Sequence, residues 1–135
     1  MTKTTALFTQ LELATERLIE AIALPETQIH RDATIQRFEF TFELAWKLMH
    51  AILADNGIEV YGPKNTFREA ARLQLIDNVE IWFTFLEARN LTTHTYKEDN
   101  AKYVYRKAKE FSQLLPEFIE KARSSTIIET SNSAS

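Results

Sequence analysis

The chain has 135 residues and no cysteine, with 16 Lys and Arg against 19 Asp and Glu and a net charge of −3. Its length predicts one domain with a modest core, and two glycines with three prolines are too few for a turn-rich β fold. The lack of cysteine excludes disulfides and thiolate metal sites, and the negative charge argues against a protein that coats nucleic acid nonspecifically.

Apolar periodicity and helix-end signals predict five helices. They cover residues 5–24, 31–56, 65–75, 78–89 and 100–123. Gly57 suits the end of the second helix, Asp77 or Asn78 the start of the fourth, and Asp99 the start of the fifth. We therefore expect an all-α, up-and-down bundle of four to five helices over residues 1–123. Residues 124–135, mostly Ser, Thr and Asn, are predicted to be a disordered tail.

The second helix is unusually apolar and carries a narrow polar stripe. Its apolar face predicts burial against other helices or a second subunit. Two interpretations of the stripe stay open. Glu43 has the favourable spacing for an ion pair with Lys47, or Glu39 or Glu43 faces a cleft and orients Arg89 or His94. The stripe consists of Gln36, Glu39, Glu43, Lys47 and His50.

The chemistry-bearing motif is R-N-L-T-T-H-T-Y at residues 89–96. The arginine fork binds phosphate in pairs of hydrogen bonds, and histidine exchanges protons near neutral pH. On an uninterrupted helix Arg89 and His94 would point about 140° apart. Thr92 and Thr93 are β-branched and have modest helix propensity, so the helix is expected to end or loosen there. Either the chain turns after Leu91 and brings His94 back beside Arg89, or a second subunit completes the site.

This motif resembles the signature of the HEPN superfamily and its HepT-like toxin branch, whose members are also called nucleotidyltransferase substrate-binding proteins. Two further segments resemble that branch: Q-R-F-E-F-T-F-E-L-A-W-K at residues 36–47 and G-P-K-N-T-F-R-E-A at residues 62–70. The resemblance runs from about residue 7 to residue 119. It implies a homodimer with the site in a groove at the subunit interface.

The resemblance also implies a function, a metal-independent RNA endonuclease acting as the toxin of a toxin–antitoxin pair. His94 is expected to transfer protons, Arg89 to bind phosphate, and Asn90 to supply supporting hydrogen bonds. Tyr96 corresponds to the tyrosine that a minimal nucleotidyltransferase of the MntA type modifies with AMP. That enzyme is therefore the expected antitoxin partner, and RNA the expected substrate.

The remaining expectations are negative or alternative. No apolar run of about 18 residues or secretory signal is visible, so a cytoplasmic protein without a membrane segment is expected. No metal-binding motif or glycine-rich phosphate loop occurs, so neither metal nor cofactor is predicted. The first alternative is a noncatalytic subunit that presents substrate to a separate nucleotidyltransferase. The second is a helical adaptor in which the motif is vestigial.

Overall fold

The computed structural model describes residues 2–134, with the side chains of residues 2–125. Over this part of the chain it contains helices and no strand. The helices are α1 (Lys3–Ala23), α2 (Gln28–Asp55), α3 (Pro63–Arg72), α4 (Val79–Asn90) and α5 (Glu98–Ala134), with a 3₁₀ helix at Leu91–His94. α1, α2 and α5 pack against one another, and the shorter α3 and α4 complete the bundle. The predicted all-α bundle is confirmed.

Most helix ends follow the signals in the sequence. The Asn78 side chain accepts two backbone N–H bonds from the first turn of α4. Gly57 follows α2 with a φ of +76°, a left-handed conformation that glycine adopts without steric cost. The cap predicted at Asp99 is wrong, because α5 already begins at Glu98. Asp99 lies in the first turn, where a negative charge favours the helix dipole.

The core is organised around Trp82 of α4. Its ring centroid lies 5.5–6.5 Å from those of five buried phenylalanines, Phe42, Phe67, Phe85, Phe111 and Phe118. Aromatic pairs at such separations contribute about 0.5–1.5 kcal/mol each beyond their buried area. Because these rings come from α2, α3, α4 and α5, they fix the direction of α4 against α2. The last turn of α4 is thereby held beside the polar stripe of α2.

The α2 helix buries its predicted apolar face, yet one side stays open. The residues of that face are all buried: Phe38, Phe42, Ala45, Met49 and Ile52. Phe40, in contrast, is 55% exposed. Within the described part of a single chain, therefore, α2 is not covered on all its apolar sides.

The predicted tail, residues 124–135, falls mainly on residues 126–135. The described backbone continues α5 to Ala134, past the helix end predicted at residue 123, but the side chains of residues 126–135 lie outside the described residues. The domain limit at residue 123 and the disordered tail therefore stay predictions.

Candidate functional site

The motif at residues 89–96 lies where α4 ends and the chain tightens into the 3₁₀ helix. Thr92 Oγ1 donates to the Arg89 carbonyl at 2.7 Å, and Thr95 Oγ1 donates to the Thr92 carbonyl at 3.4 Å. Such bonds compete with regular α-helical pairing, and β-branched threonine has modest helix propensity. The predicted loosening of the helix at this point is confirmed.

Arg89 is held by an ion pair with Glu43 of α2. Its Nη2 contacts Glu43 Oε1, an oxygen that is shielded from solvent and accepts no well-oriented hydrogen bond from the described residues. The other carboxylate oxygen accepts a hydrogen bond from Trp46 Nε1 at 3.1 Å. Of the two interpretations of the stripe, Glu43 thus pairs with Arg89 and not with Lys47. The Arg89 side chain remains 30% exposed, so part of the guanidinium can still reach a ligand.

Asn90 and Glu39 flank this pair. Arg89 Nη1 donates to Asn90 Oδ1 at 3.3 Å. Glu39 Oε2 lies 2.7 Å from Thr92 Oγ1, so the single hydroxyl proton of Thr92 is shared between this carboxylate and the Arg89 carbonyl. Glu39 therefore contacts the 3₁₀ helix, and through Thr92 it ties α2 to the segment that carries His94.

His94 ends the 3₁₀ helix and is exposed, as is Tyr96. The Tyr96 hydroxyl lies 3.4 Å from His94 Nδ1, and the two rings meet edge to face at 5.8 Å between centroids. Asn100 Nδ2 donates to the His94 carbonyl at 3.1 Å, which anchors the backbone. When Nδ1 donates to the tyrosine oxygen, Nε2 is free to accept a proton. The Tyr96 side chain is 76% exposed and hence open to another enzyme.

A groove of about 900 Å³ runs along α1, α2 and the end of α4. Four of the predicted site residues line it: Glu39, Glu43, Arg89 and Asn90. His94 and Tyr96 are not among its lining residues, and no contact joins Arg89 to His94 in the described structure. A single chain therefore gathers Arg89, Asn90 and the two glutamates in the groove and leaves the histidine and tyrosine outside its lining.

Sequence patterns did not indicate two residues that shape this site. Trp46 lies within the family-like segment at residues 36–47 but was given no role, although it lies three positions after Glu43 and donates to its carboxylate. That i, i+3 spacing was the available signal. Thr92 was noted for its helix propensity, whereas its bond to Glu39 crosses between two helices and has no signal in local sequence.

The family model described as "Nucleotidyltransferase substrate binding protein like" matches residues 6–124. The chain belongs to this family. It is the HepT-like family with the HEPN fold, so the resemblance carried by residues 89–96 is confirmed. The family name describes a protein similar to the substrate-binding protein of a nucleotidyltransferase.

Relatives agree with this assignment. The chain is 38% identical over 82 residues to a Haemophilus influenzae protein named "Probable ribonuclease HepT"; the match spans 57% of this chain and about half, 56%, of that relative.

Two solved structures are similar along most of their length. A Thermus thermophilus protein has a TM-score of 0.79 at 32% identity, covering 84% of this chain and 98% of that one. A Haemophilus influenzae protein, described as showing the fold of a substrate binding domain of a nucleotidyltransferase, has a TM-score of 0.63 at 28% identity, covering 89% and 96%.

None of the helices in the described residues is both long enough and apolar enough to cross a membrane.

Proposed function

We propose that this protein is a metal-independent RNA endonuclease and the toxin of a pair formed with a nucleotidyltransferase. The observation that carries the proposal is the arrangement at the end of α4. There Arg89 pairs with a solvent-shielded carboxylate oxygen of Glu43. The exposed His94 ends the short 3₁₀ helix that follows. The name of the Haemophilus influenzae relative, a probable ribonuclease, supports the same activity.

The reaction uses the ribose 2′-hydroxyl of RNA as the nucleophile. A base takes its proton, the 2′-oxygen attacks the neighbouring phosphorus, and the bond to the 5′-oxygen breaks as that oxygen receives a proton. The fragments carry a 2′,3′-cyclic phosphate and a 5′-hydroxyl. His94 transfers the protons, a role that typically contributes 10²–10⁴-fold, while Arg89 stabilises the charge that develops on phosphorus and Asn90 keeps its fork in place.

Glu43 and Glu39 act as positioning residues in this scheme. Glu43 fixes the guanidinium of Arg89, so the cation needs little reorganisation when a phosphate arrives. Glu39 holds Thr92, and with it the start of the 3₁₀ helix that leads to His94. Neither carboxylate is required to contact RNA.

The active form is a two-fold dimer. In one chain the groove contains Arg89 while His94 lies outside its lining, and the exposed Leu13 and Phe40 give the groove an apolar wall. A second copy would cover that wall and bring a second Arg89–Tyr96 segment to the same groove. One His94 can then act as base and the other as acid.

Control is by AMP transfer to Tyr96. The partner nucleotidyltransferase catalyses attack of the Tyr96 oxygen on the α-phosphorus of ATP, and pyrophosphate leaves. In the product, the phosphodiester of AMP replaces the hydroxyl proton of Tyr96 and carries a negative charge beside His94. A neighbouring phosphate group competes with RNA for Arg89 and repels the RNA backbone.

A noncatalytic substrate-binding subunit is the second candidate function. The family description and the groove of about 900 Å³ favour it, because a large, partly apolar groove suits a bound ligand. In that case the groove, and not the exposed histidine, is the functional feature.

Cleavage of RNA in excess chelator separates the two candidates. The purified protein should fragment RNA, His94→Ala should not, and His30→Ala should behave as the parent. His30 is a matched control because its ring lies at the start of α2, bonded to the Pro25 carbonyl. Intact RNA with the parent protein would favour the binding subunit, and equal cleavage by folded His94→Ala would remove the proposed mechanism.

A further inference from the structure

A second surface, separate from the large groove, also reaches Arg89. It is a depression of about 510 Å³ lined by Trp46, Tyr61, Lys64, Asn65 and Arg89, among others. A second depression of about 440 Å³ adjoins it, because both are lined by Trp46, Tyr61 and Gly62. Together they contain the start of the G-P-K-N-T-F-R-E-A segment, which the proposed reaction leaves without a role.

The charged side chains that line this surface are all cationic, and carboxylates contact two of its residues, Glu59 at Tyr61 and Glu43 at Arg89. Lys3, Lys47, Lys64 and Arg89 line the two depressions, and no Asp or Glu is among the described residues that line them. The three lysines are exposed and form no ion pair within the described part of the chain. In a protein of net charge −3, such a concentration of unpaired cations favours a polyanion at this place.

Tyr61 stands between the two depressions as an aromatic platform. Its side chain is 75% exposed, yet its hydroxyl donates to Glu59 at 2.6 Å and its carbonyl accepts from Asn65 Nδ2 at 3.1 Å. Hydrogen bonds therefore hold both the ring hydroxyl and the backbone carbonyl of Tyr61. The bond to Glu59 raises the pKa of the Tyr61 hydroxyl, so the ring stays neutral beside an anion. A fixed, exposed ring among cations suits stacking of a nucleobase.

We propose that these depressions form a track for single-stranded RNA on one side of the scissile phosphate. One base stacks on Tyr61, and the backbone phosphates lie near Lys64 and then Lys47. The track, defined by Lys3, Lys47, Tyr61 and Lys64, leads to Arg89, where cleavage takes place. This inference rests on the proposed ribonuclease function and adds the substrate class, because stacking requires an unpaired base.

The stacking part is tested by binding to cleavage-inactive His94→Ala protein. The probe is a short, fluorescein-labelled, mixed-sequence single-stranded RNA, with the corresponding duplex as comparison. Adding Tyr61→Leu should weaken single-strand binding about tenfold, in line with the cost of losing one aromatic stack. Tyr61→Phe keeps the ring and should bind nearly as the parent. Equal affinity of the Tyr61→Leu protein would overturn the platform.

The charge part is tested by the salt dependence of the same binding. Lys64→Gln and Lys47→Gln should each lower the slope of log affinity against log salt by about 0.7, the value for one phosphate contact on a single strand. Arg72→Gln is the matched control. It removes one exposed cation from the same helix as Lys64, but Arg72 pairs with Glu69 and lines neither depression. An unchanged slope for both lysine variants would overturn the track.

Cleavage kinetics separate a failure of the track from a failure of the proposed function. In the parent background, Tyr61→Leu and Lys64→Gln should raise KM for single-stranded RNA and change kcat little. If these variants cleave RNA with an unchanged KM, the track is contradicted and the proposed function is not. If the parent protein leaves the RNA intact, the proposed ribonuclease function is contradicted. Loss of nucleotidyltransferase binding with unchanged RNA affinity would assign the surface to that protein and overturn the inference.

Discussion

Glu43 of α2 and Arg89 of α4 form an ion pair in which one carboxylate oxygen is closed off from solvent. Trp46 donates to the other oxygen, so the carboxylate has a partner on each side. The pair joins a helix that lines the groove to the residue that is proposed to bind phosphate. Its loss should therefore affect both stability and activity, and the two effects can be measured separately.

Arg89→Ala should lower the free energy of unfolding by about 1–3 kcal/mol, because it leaves the shielded oxygen of Glu43 without a partner. Adding Glu43→Gln should recover part of this loss, since a neutral amide is less costly to bury than an unpaired carboxylate. Urea unfolding of the two single variants and the double variant measures the coupling. Strictly additive losses would contradict the ion pair.

Arg89→Lys should keep the charge and still lose most of the activity. A lysine ammonium cannot hold Glu43 and a phosphate with the planar fork that arginine provides. We expect RNA cleavage to fall about 10²-fold, as misplacement of a catalytic group by about 1 Å typically does. Initial rates at equal enzyme concentration are the measurement, and a fully active Arg89→Lys protein would show that the fork is not needed.

The protein should be a dimer in solution, and Phe40→Asp should make it a monomer. Phe40 is 55% exposed on the wall of the large groove, so a charge there blocks a covering subunit without disturbing the core. Ile29→Asp is the control, because Ile29 is 78% exposed and does not line the groove. Light scattering gives the mass. A parent protein that is monomeric at micromolar concentration contradicts the dimer, and an active Phe40→Asp monomer contradicts the shared site.

Incubation with the partner nucleotidyltransferase and ATP should add AMP to Tyr96 and stop RNA cleavage. Tyr96→Phe should cleave RNA and remain toxic, yet escape neutralisation by modification, because it lacks the acceptor oxygen. Intact mass and peptide mapping locate the added group. Tyr103→Phe, which changes a tyrosine outside the motif, should still be modified. Inhibition without any adduct would indicate control by complex formation.

The bond between Asp77 and Lys121 should make stability depend on acid pH. Lys121 donates to Asp77 at 2.6 Å and lowers the pKa of that carboxyl below its usual 3.8. A lowered folded-state pKa stabilises the fold above about pH 3.8 and ceases to do so as the pH falls through the folded value. Asp77→Asn should therefore lower Tm slightly at neutral pH and not at strongly acid pH. Asp32→Asn, an exposed carboxylate without an ion pair in the described residues, should show no such difference.

The sequence predicted the bundle because its apolar spacing is strong and its caps are regular. Phe38, Phe42 and Met49 are buried as their helical spacing requires, and Asn78 caps α4. The start of α5 was misplaced because Glu98 and Asp99 are adjacent acidic residues, and either suits the beginning of a helix. Local signals cannot choose between such neighbours.

The sequence predicted which residues belong to the candidate site, but only part of how they are arranged. A helix pattern shows which face Glu43 occupies, but not which neighbouring helix ends beside it. The i, i+4 rule therefore favoured Lys47 as strongly as any distant partner, whereas packing around Trp82 brings Arg89 there. The position of His94 depends on a 3₁₀ turn fixed by Thr92 and Thr95, and the apolar pattern of α2 does not distinguish another helix from a second subunit as its cover.

The most direct test of the account is the end chemistry of the RNA fragments. RNA is incubated with the purified protein in excess chelator, and the fragments are identified by mass spectrometry. We predict 2′,3′-cyclic phosphate and 5′-hydroxyl ends from the parent protein and none from His94→Ala. Fragments with 3′-hydroxyl and 5′-phosphate ends, or the same fragments from His94→Ala, would contradict the mechanism.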